Sequence, residues 1–199
     1  MEPRQRRAGR PLTVVPRLHV SAPGGRGFSL FELVVVIVLV AVLYAIAADR
    51  LVVMRAQAER SEVETTVGAL RSALGIRVAA HVARGTAGEI RTLAGSNPME
   101  LMSERPESYR GSFFGPDPAS FDGGQWYFDR RDGALVYRVR FTEFFQSTLQ
   151  GAPRLRYAVQ LDYSDRNANG RFDESIDEIH GLRLRELDGY SWLERPRRG

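Results

Sequence analysis

The chain has 199 residues, no cysteine and no lysine, and a formal net charge of +4 in which 28 arginines face 24 acidic side chains. The missing cysteines exclude disulfides and thiol nucleophiles, and the missing lysines exclude a Walker-type phosphate loop and Schiff-base chemistry. His19, His81 and His180 stand far apart without an H-E-x-x-H spacing, and no G-x-S-x-G elbow occurs, so the chain reads as a non-enzyme.

Residues 1–27 hold six arginines, at positions 4, 6, 7, 10, 17 and 26, against the single acid Glu2. Removing these from 28 basic and 24 acidic residues leaves 22 and 23, so the segment after Gly27 has a formal net charge of −1. The basic character of the whole chain therefore belongs to its first segment. That removes the compositional basis for a general nucleic-acid-binding reading, although a small local patch for DNA uptake stays open. Arginines placed before an apolar run hold that end in the cytoplasm and send the remainder across the membrane.

The apolar run, Phe28 to Ala48, is 21 residues long and carries one charge, Glu32. At about 1.5 Å per residue it crosses a hydrocarbon core of roughly 30 Å as a helix. A carboxylate inside a spanning segment costs a few kcal/mol and points to a partner within the membrane. An ordinary secretory signal has a shorter apolar region followed by a small-residue cleavage site and no acid. An uncleaved anchor fits the hydropathy but leaves Gly27 and Glu32 without a reason.

Gly27, Phe28, Ser29, Leu30, Glu32 and Leu33, behind a basic leader and ahead of about twenty apolar residues, resemble the processing site of the type IV pilin superfamily, which includes the pseudopilins of type II secretion systems. The resemblance implies cleavage between Gly27 and Phe28 by a prepilin peptidase, with N-methylation of Phe28. It also implies that Glu32, fifth in the mature chain, pairs with the terminal amine of a neighbouring subunit. Other implied partners are further pilin or pseudopilin subunits, an inner-membrane assembly platform, membrane lipid and a secreted protein. The implied location is the bacterial inner membrane, single-pass with the globular domain in the periplasm, and then the filament.

Past the membrane, over 49–84, the helix continues as an amphipathic one. Val63, Val67, Leu70, Leu74 and Val78 follow spacings of four, three, four and four, with Glu59, Arg60, Glu62, Glu64 and Arg71 assigned to the wet face. No proline occurs between Phe28 and Asn97, so one helix to about Arg84 is predicted, stopped by Gly85-Thr86-Ala87-Gly88. Many relatives carry a kinking proline soon after the apolar run; here the residue is Asp49, and no fixed kink is predicted.

Residues 85–199 have the size of one small domain. Asn97-Pro98-Met99-Glu100-Leu101-Met102 opens with a capping asparagine and a proline and predicts a short helix. Pro106 to Gly124, dense in Pro, Gly and Ser, reads as a loop. Gln125–Phe128 and Ala134–Phe141, joined through Asp132-Gly133, read as an antiparallel hairpin. Alternation marks Leu135, Tyr137, Val139 and Phe141 as a buried face, then Leu155, Tyr157, Val159 and Leu161, and Leu182, Leu184 and Leu187 with Arg183 and Arg185 suggest a last strand. The predicted fold is α+β: a long N-terminal helix, half transmembrane and half amphipathic, packed on a small antiparallel sheet of about four strands. The pattern of Gln125-Trp126-Tyr127-Phe128 and Leu135-Val136-Tyr137-Arg138-Val139 is similar to the sheet of secretion-type pilin-like proteins. Asp122-Gly123-Gly124 and Phe113, Phe114, Phe121 and Trp126 are assigned to loop and core.

The C-terminal loop 165–178 contains Asp165, Asn167, Asn169 and Asp173 at positions 1, 3, 5 and 9, Gly170 at 6, and Arg171 at 7, where a calcium loop donates a backbone carbonyl. Position 12 is Ile176 rather than a bidentate Glu, so Asp177 or Glu174 would have to close the shell. Some secretion pseudopilins carry calcium in a C-terminal loop. Two readings stand: a Ca²⁺ site, or an Asn-Gly turn between strands with solvated acids. Two functions stand as well: an assembly subunit of a type II secretion pseudopilus or related type IV filament, or a minor or tip pilin whose outer domain binds an adhesive ligand, exoprotein or DNA.

Overall fold

The computed structural model describes residues 28–173, 175–194 and 196. The predicted leader 1–27, with Gly27 at its end, and Glu174 lie outside the described residues. By its contacts the chain forms two units, residues 1–43 and 44–199.

The described part of the first unit is Phe28, Ser29 and the beginning of helix α1, which runs Leu30–Ala83. Side chains from Phe28 to Leu43 are exposed throughout, and α1 is long and apolar enough to cross a membrane.

In the second unit the predicted stripe is the buried face of α1. Val63, Val67, Leu70 and Leu74 are all buried and Val78 half-buried. Each full burial of such a side chain is worth about 1.5–3 kcal/mol. The stripe extends further back than the apolar spacing indicated, through Ala56 and Glu59, both 4 % exposed. Glu59, expected on the wet face, is buried instead, because the Tyr137 hydroxyl and the amides of Arg140 and Phe141 supply its carboxylate with donors. Helix α1 ends where predicted, with Gly85 at a φ of 72° and its amide donating to the Val82 carbonyl at 3.0 Å. The chain then coils again in a 3₁₀ turn, Ala87–Leu93, through the segment read as a stop.

Seven strands follow among the described residues: β1 Tyr109–Phe113, β2 Trp126–Asp129, β3 Ala134–Arg138, β4 Phe145–Ser147, β5 Arg154–Ser164, β6 Glu178–Glu186 and β7 Tyr190–Trp192. The main sheet has the order β1-β2-β3-β5-β6. The four predicted strands β2, β3, β5 and β6 pair antiparallel, with Tyr127 opposite Val136, Leu135 opposite Tyr157 and Val159 opposite Leu184. The architecture is α+β. Trp126, Leu135, Tyr137, Leu155, Tyr157, Val159 and Leu184 meet the α1 stripe in one core.

Three features differ from the prediction. The segment read as a loop contains β1, which pairs parallel to β2 and makes the sheet mixed. Its pairing is interrupted between Tyr109 and Ser112, where Gly111 sits at a φ of 111°, so the local sequence carries little strand signal. β4 and β7 form a separate antiparallel pair. Finally, the sheet is covered on both faces at its centre. Tyr127, Ala134 and Val136 form a second cluster with Phe121 and Leu187, and the Phe121 ring stacks on Tyr127 at 4.0 Å. Leu187, expected in the last strand, lies just past the end of β6 at Glu186 and packs into this second cluster.

The predicted short helix is a 3₁₀ turn, Pro98–Leu101, capped by Asn97, whose Oδ1 accepts from Met99 N at 3.1 Å. The same side chain donates to Tyr109 Oη at 2.8 Å and Ser112 Oγ at 3.2 Å, so the cap also holds β1. Gly123 answers a close approach: a Cβ there would lie 2.6 Å from the Arg140 Cα.

Candidate functional site

The first turn of α1 is set by Ser29, whose Oγ accepts from the Glu32 amide at 3.1 Å while its carbonyl accepts from Leu33 N at 3.0 Å. Ser29-Leu30-Phe31-Glu32 has the spacing of a capping box, in which the glutamate would reach back to the serine amide. Only the serine half is made. Among the described residues the Glu32 carboxylate has no hydrogen-bond or ion-pair partner, and it is exposed in a stretch whose other side chains, Val and Leu foremost, are exposed too. The N-terminal end of the helix dipole favours a carboxylate by about 0.3–1 kcal/mol, less than the cost of placing one in hydrocarbon. Phe28, 71 % exposed, stands four residues before Glu32, ahead of the start of α1. Gly27, which with Phe28 forms the predicted processing site, is outside the described residues.

The loop between β5 and β6 is built by backbone donors aimed at side-chain oxygens. Asp165 accepts from Asn169 N at 3.2 Å and Gly170 N at 2.7 Å, Asn167 from Asn169 N at 3.2 Å, and Asn169 from Arg171 N at 2.7 Å. Ala168 and Gly170, at φ values of 55° and 73°, make the bend. Asp177 joins the two ends, taking Arg166 N at 2.9 Å and Asp173 N at 2.7 Å. Asp173 in turn accepts from the Ser175 amide and hydroxyl at 3.1 and 2.7 Å, and these donors, the hydroxyl first, hold its carboxyl below the usual carboxylate range.

The six predicted ligand positions, Asp165, Asn167, Asn169, Arg171, Asp173 and Asp177, thus belong to one hydrogen-bonded loop. Their oxygen chemistry suits a hard cation. Among the described residues, however, no three His, Cys, Asp or Glu side chains converge as a metal-binding group. The likeness to a calcium loop is therefore one of donor type and sequence spacing, with Asp177 at the closure of the hydrogen-bonded loop.

A third arrangement escaped the sequence reading. The buried Glu59 carboxylate accepts from Tyr137 Oη at 2.9 Å and Arg140 N at 2.6 Å through Oε1, and from Phe141 N at 2.9 Å through Oε2. Burial, and then the neighbouring carboxylate, push the Tyr137 hydroxyl well above its ordinary pKa. Glu59 fastens α1 to the chain just after β3. The signal was available, since Glu59 stands four residues before Val63 and extends the apolar stripe; an acid at that position needs an internal donor.

Comparison with family models, with curated proteins and with solved structures finds no match.

Proposed function

We propose that this chain is a pilin-like subunit of a type II secretion pseudopilus or related type IV filament, assembled from the inner membrane through α1 and supporting protein secretion. The observation that carries this reading is Glu32. It is the one charge in an exposed, membrane-length apolar segment, its helix-capping role is half made, and among the described residues its carboxylate has no partner, which suits pairing with an external cation. The methylated amine of a neighbouring Phe28 would supply that cation where few other donors exist. The α+β domain on the C-terminal half of α1 suits the outward part of such a subunit, and the role is structural rather than catalytic. Its partners on this reading are other subunits, the prepilin peptidase, an assembly platform and membrane lipid.

The test is processing. Intact-mass analysis of membrane-extracted protein is expected to find a chain beginning at Phe28 and carrying one methyl group, with Gly27→Val leaving the leader attached. A mature start elsewhere, or a Gly27→Val product identical to wild type, overturns the proposal.

For the 165–178 loop we propose calcium held by Asp165, Asn167, Asn169, Asp173 and Asp177 with the Arg171 carbonyl. What supports it is that Asp165 turns its carboxylate onto the loop's own amides and that Asp177 bridges both loop ends. When bound, the ion would supply charge neutralisation and cross-linking of the loop, not chemistry. A domain without disulfides gains from such a link.

A further inference from the structure

Strand β6 is an edge of the five-stranded sheet. On its inner side it pairs with β5, and Leu187 N donates to the Arg156 carbonyl at 2.9 Å. In an antiparallel ladder hydrogen-bonded pairs recur at every second residue. Continuing from Arg156 and Leu187, the next such pairs are Ala158 with Arg185 and Gln160 with Arg183. The amides and carbonyls of Leu182, Leu184 and Glu186 therefore point away from the sheet. They open on a groove of about 560 Å³ whose other wall is α1, through Arg71 and Leu74.

The groove has two kinds of surface. Leu74, Leu182 and Leu184 are apolar, whereas Arg71, Arg183 and Arg185 outnumber Glu186. Arg183 pairs with Asp162 at 2.8 Å, but Arg71 and Arg185 have no carboxylate partner among the described residues. Arginines on an edge strand also serve to discourage indiscriminate pairing. That role does not account for Arg71, which comes from the helix and meets the strand across the groove.

We propose that this edge binds an extended acidic peptide segment of a partner protein by strand addition. Main-chain bonds to Leu182, Leu184 and Glu186 would supply affinity, and alternation of apolar and acidic side chains would supply specificity. Apolar residues of the incoming strand face Leu182, Leu184 and Leu74; acidic residues face Arg183 and Arg185, with Arg71 at the rim. At about 3.4 Å per residue, the five residues from Leu182 to Glu186 accommodate roughly 17 Å of partner strand. The inference does not depend on processing at Gly27 or on calcium.

The test uses the full-length chain in detergent micelles and a fluorescein-labelled peptide of four Val-Glu repeats, with four Val-Lys repeats as the opposite-charge probe. Expected are saturable binding of the Val-Glu peptide and at least tenfold weaker binding of Val-Lys. Amide exchange at Leu182, Leu184 and Glu186 is expected to slow on binding. Arg185→Glu, at an exposed site, is expected to weaken binding at least tenfold. Glu186→Pro deletes an outward amide and is expected to do the same, whereas Glu186→Ala keeps that amide, removes the acid from the groove lining, and is expected to bind the Val-Glu peptide at least as tightly as wild type. Absence of saturable binding, equal binding of both peptides, no added amide protection, or equal losses in Glu186→Pro and Glu186→Ala overturns the proposal.

Discussion

Glu32 and Glu59 lie on the same helix and meet opposite circumstances: one carboxylate has no partner among the described residues, and the other has three donors. Glu32→Val is expected to leave membrane insertion intact and to lower entry into filaments, since it makes the segment easier to insert while removing the charge a neighbour's ammonium would neutralise. Crosslinking of assembled subunits measures this, and wild-type incorporation of the valine variant contradicts the pairing role. Glu59→Ala strands two backbone amides and a buried phenol. A loss of about 3–5 kcal/mol is expected from breaking a buried charged network. Tyr137→Phe, which removes one of the three bonds, is expected to cost about 1.5–3 kcal/mol. Denaturation midpoints of the two variants, compared under one condition, check both the size and the order. Residues of this kind divide in legibility. Glu32 stands out because nothing polar surrounds it in sequence, whereas Glu59 hides among Arg60, Glu62 and Glu64, and its donors arrive from residues about eighty positions later.

At the scale of elements, α1 and the strands β2, β3, β5 and β6 were legible because each repeats an apolar residue at its own period. β1 was not, because Pro, Gly and Ser dominate its surroundings and its partner β2 is parallel and comes after a long connection. The covering of the second sheet face was hidden for a related reason. Val136 falls outside the alternating buried face, yet it is covered because Phe121, from a loop, packs on its cluster and stacks on Tyr127. The 165–178 loop was legible as a composition but not as a geometry. Calcium is expected to raise its stability by mass action, about 2.7 kcal/mol at a hundredfold excess over the dissociation constant. Asp165→Ala and Asp173→Ala are each expected to abolish the calcium-dependent rise in melting temperature, and Arg171→Ala to retain it, because only its carbonyl would coordinate. A melting temperature indifferent to calcium and chelator, in protein first shown to be metal-free, leaves the loop a turn. The pH dependence has a definite sign. Asp173 has a lowered folded pKa, so the stability it contributes is present above its unfolded pKa and is lost as pH falls through the folded one.

For the whole molecule, the division at residues 43 and 44 makes a further expectation concrete. A fragment beginning at Arg50 keeps both buried clusters and every buried residue of α1, the first of which is Ala56. It is expected to be soluble without detergent and to unfold cooperatively; a fragment that aggregates or melts without a transition would mean that the membrane segment is needed for folding. The α+β class followed from adding up periodic segments, while the mixed sheet and the β4–β7 pair depend on where the irregular connections run.

The Glu59 fastening has a mechanical meaning. Among the described residues, it is the first side chain along α1 to hydrogen-bond a different element. Traction applied to the N-terminal end of the helix therefore reaches the sheet domain through this polar anchor as well as through the apolar seam behind it. An anchor of three directional bonds resists sliding along the helix axis, which a seam of interchangeable valines and leucines does weakly. Register between helix and sheet under tension thus rests on this carboxylate together with the apolar seam.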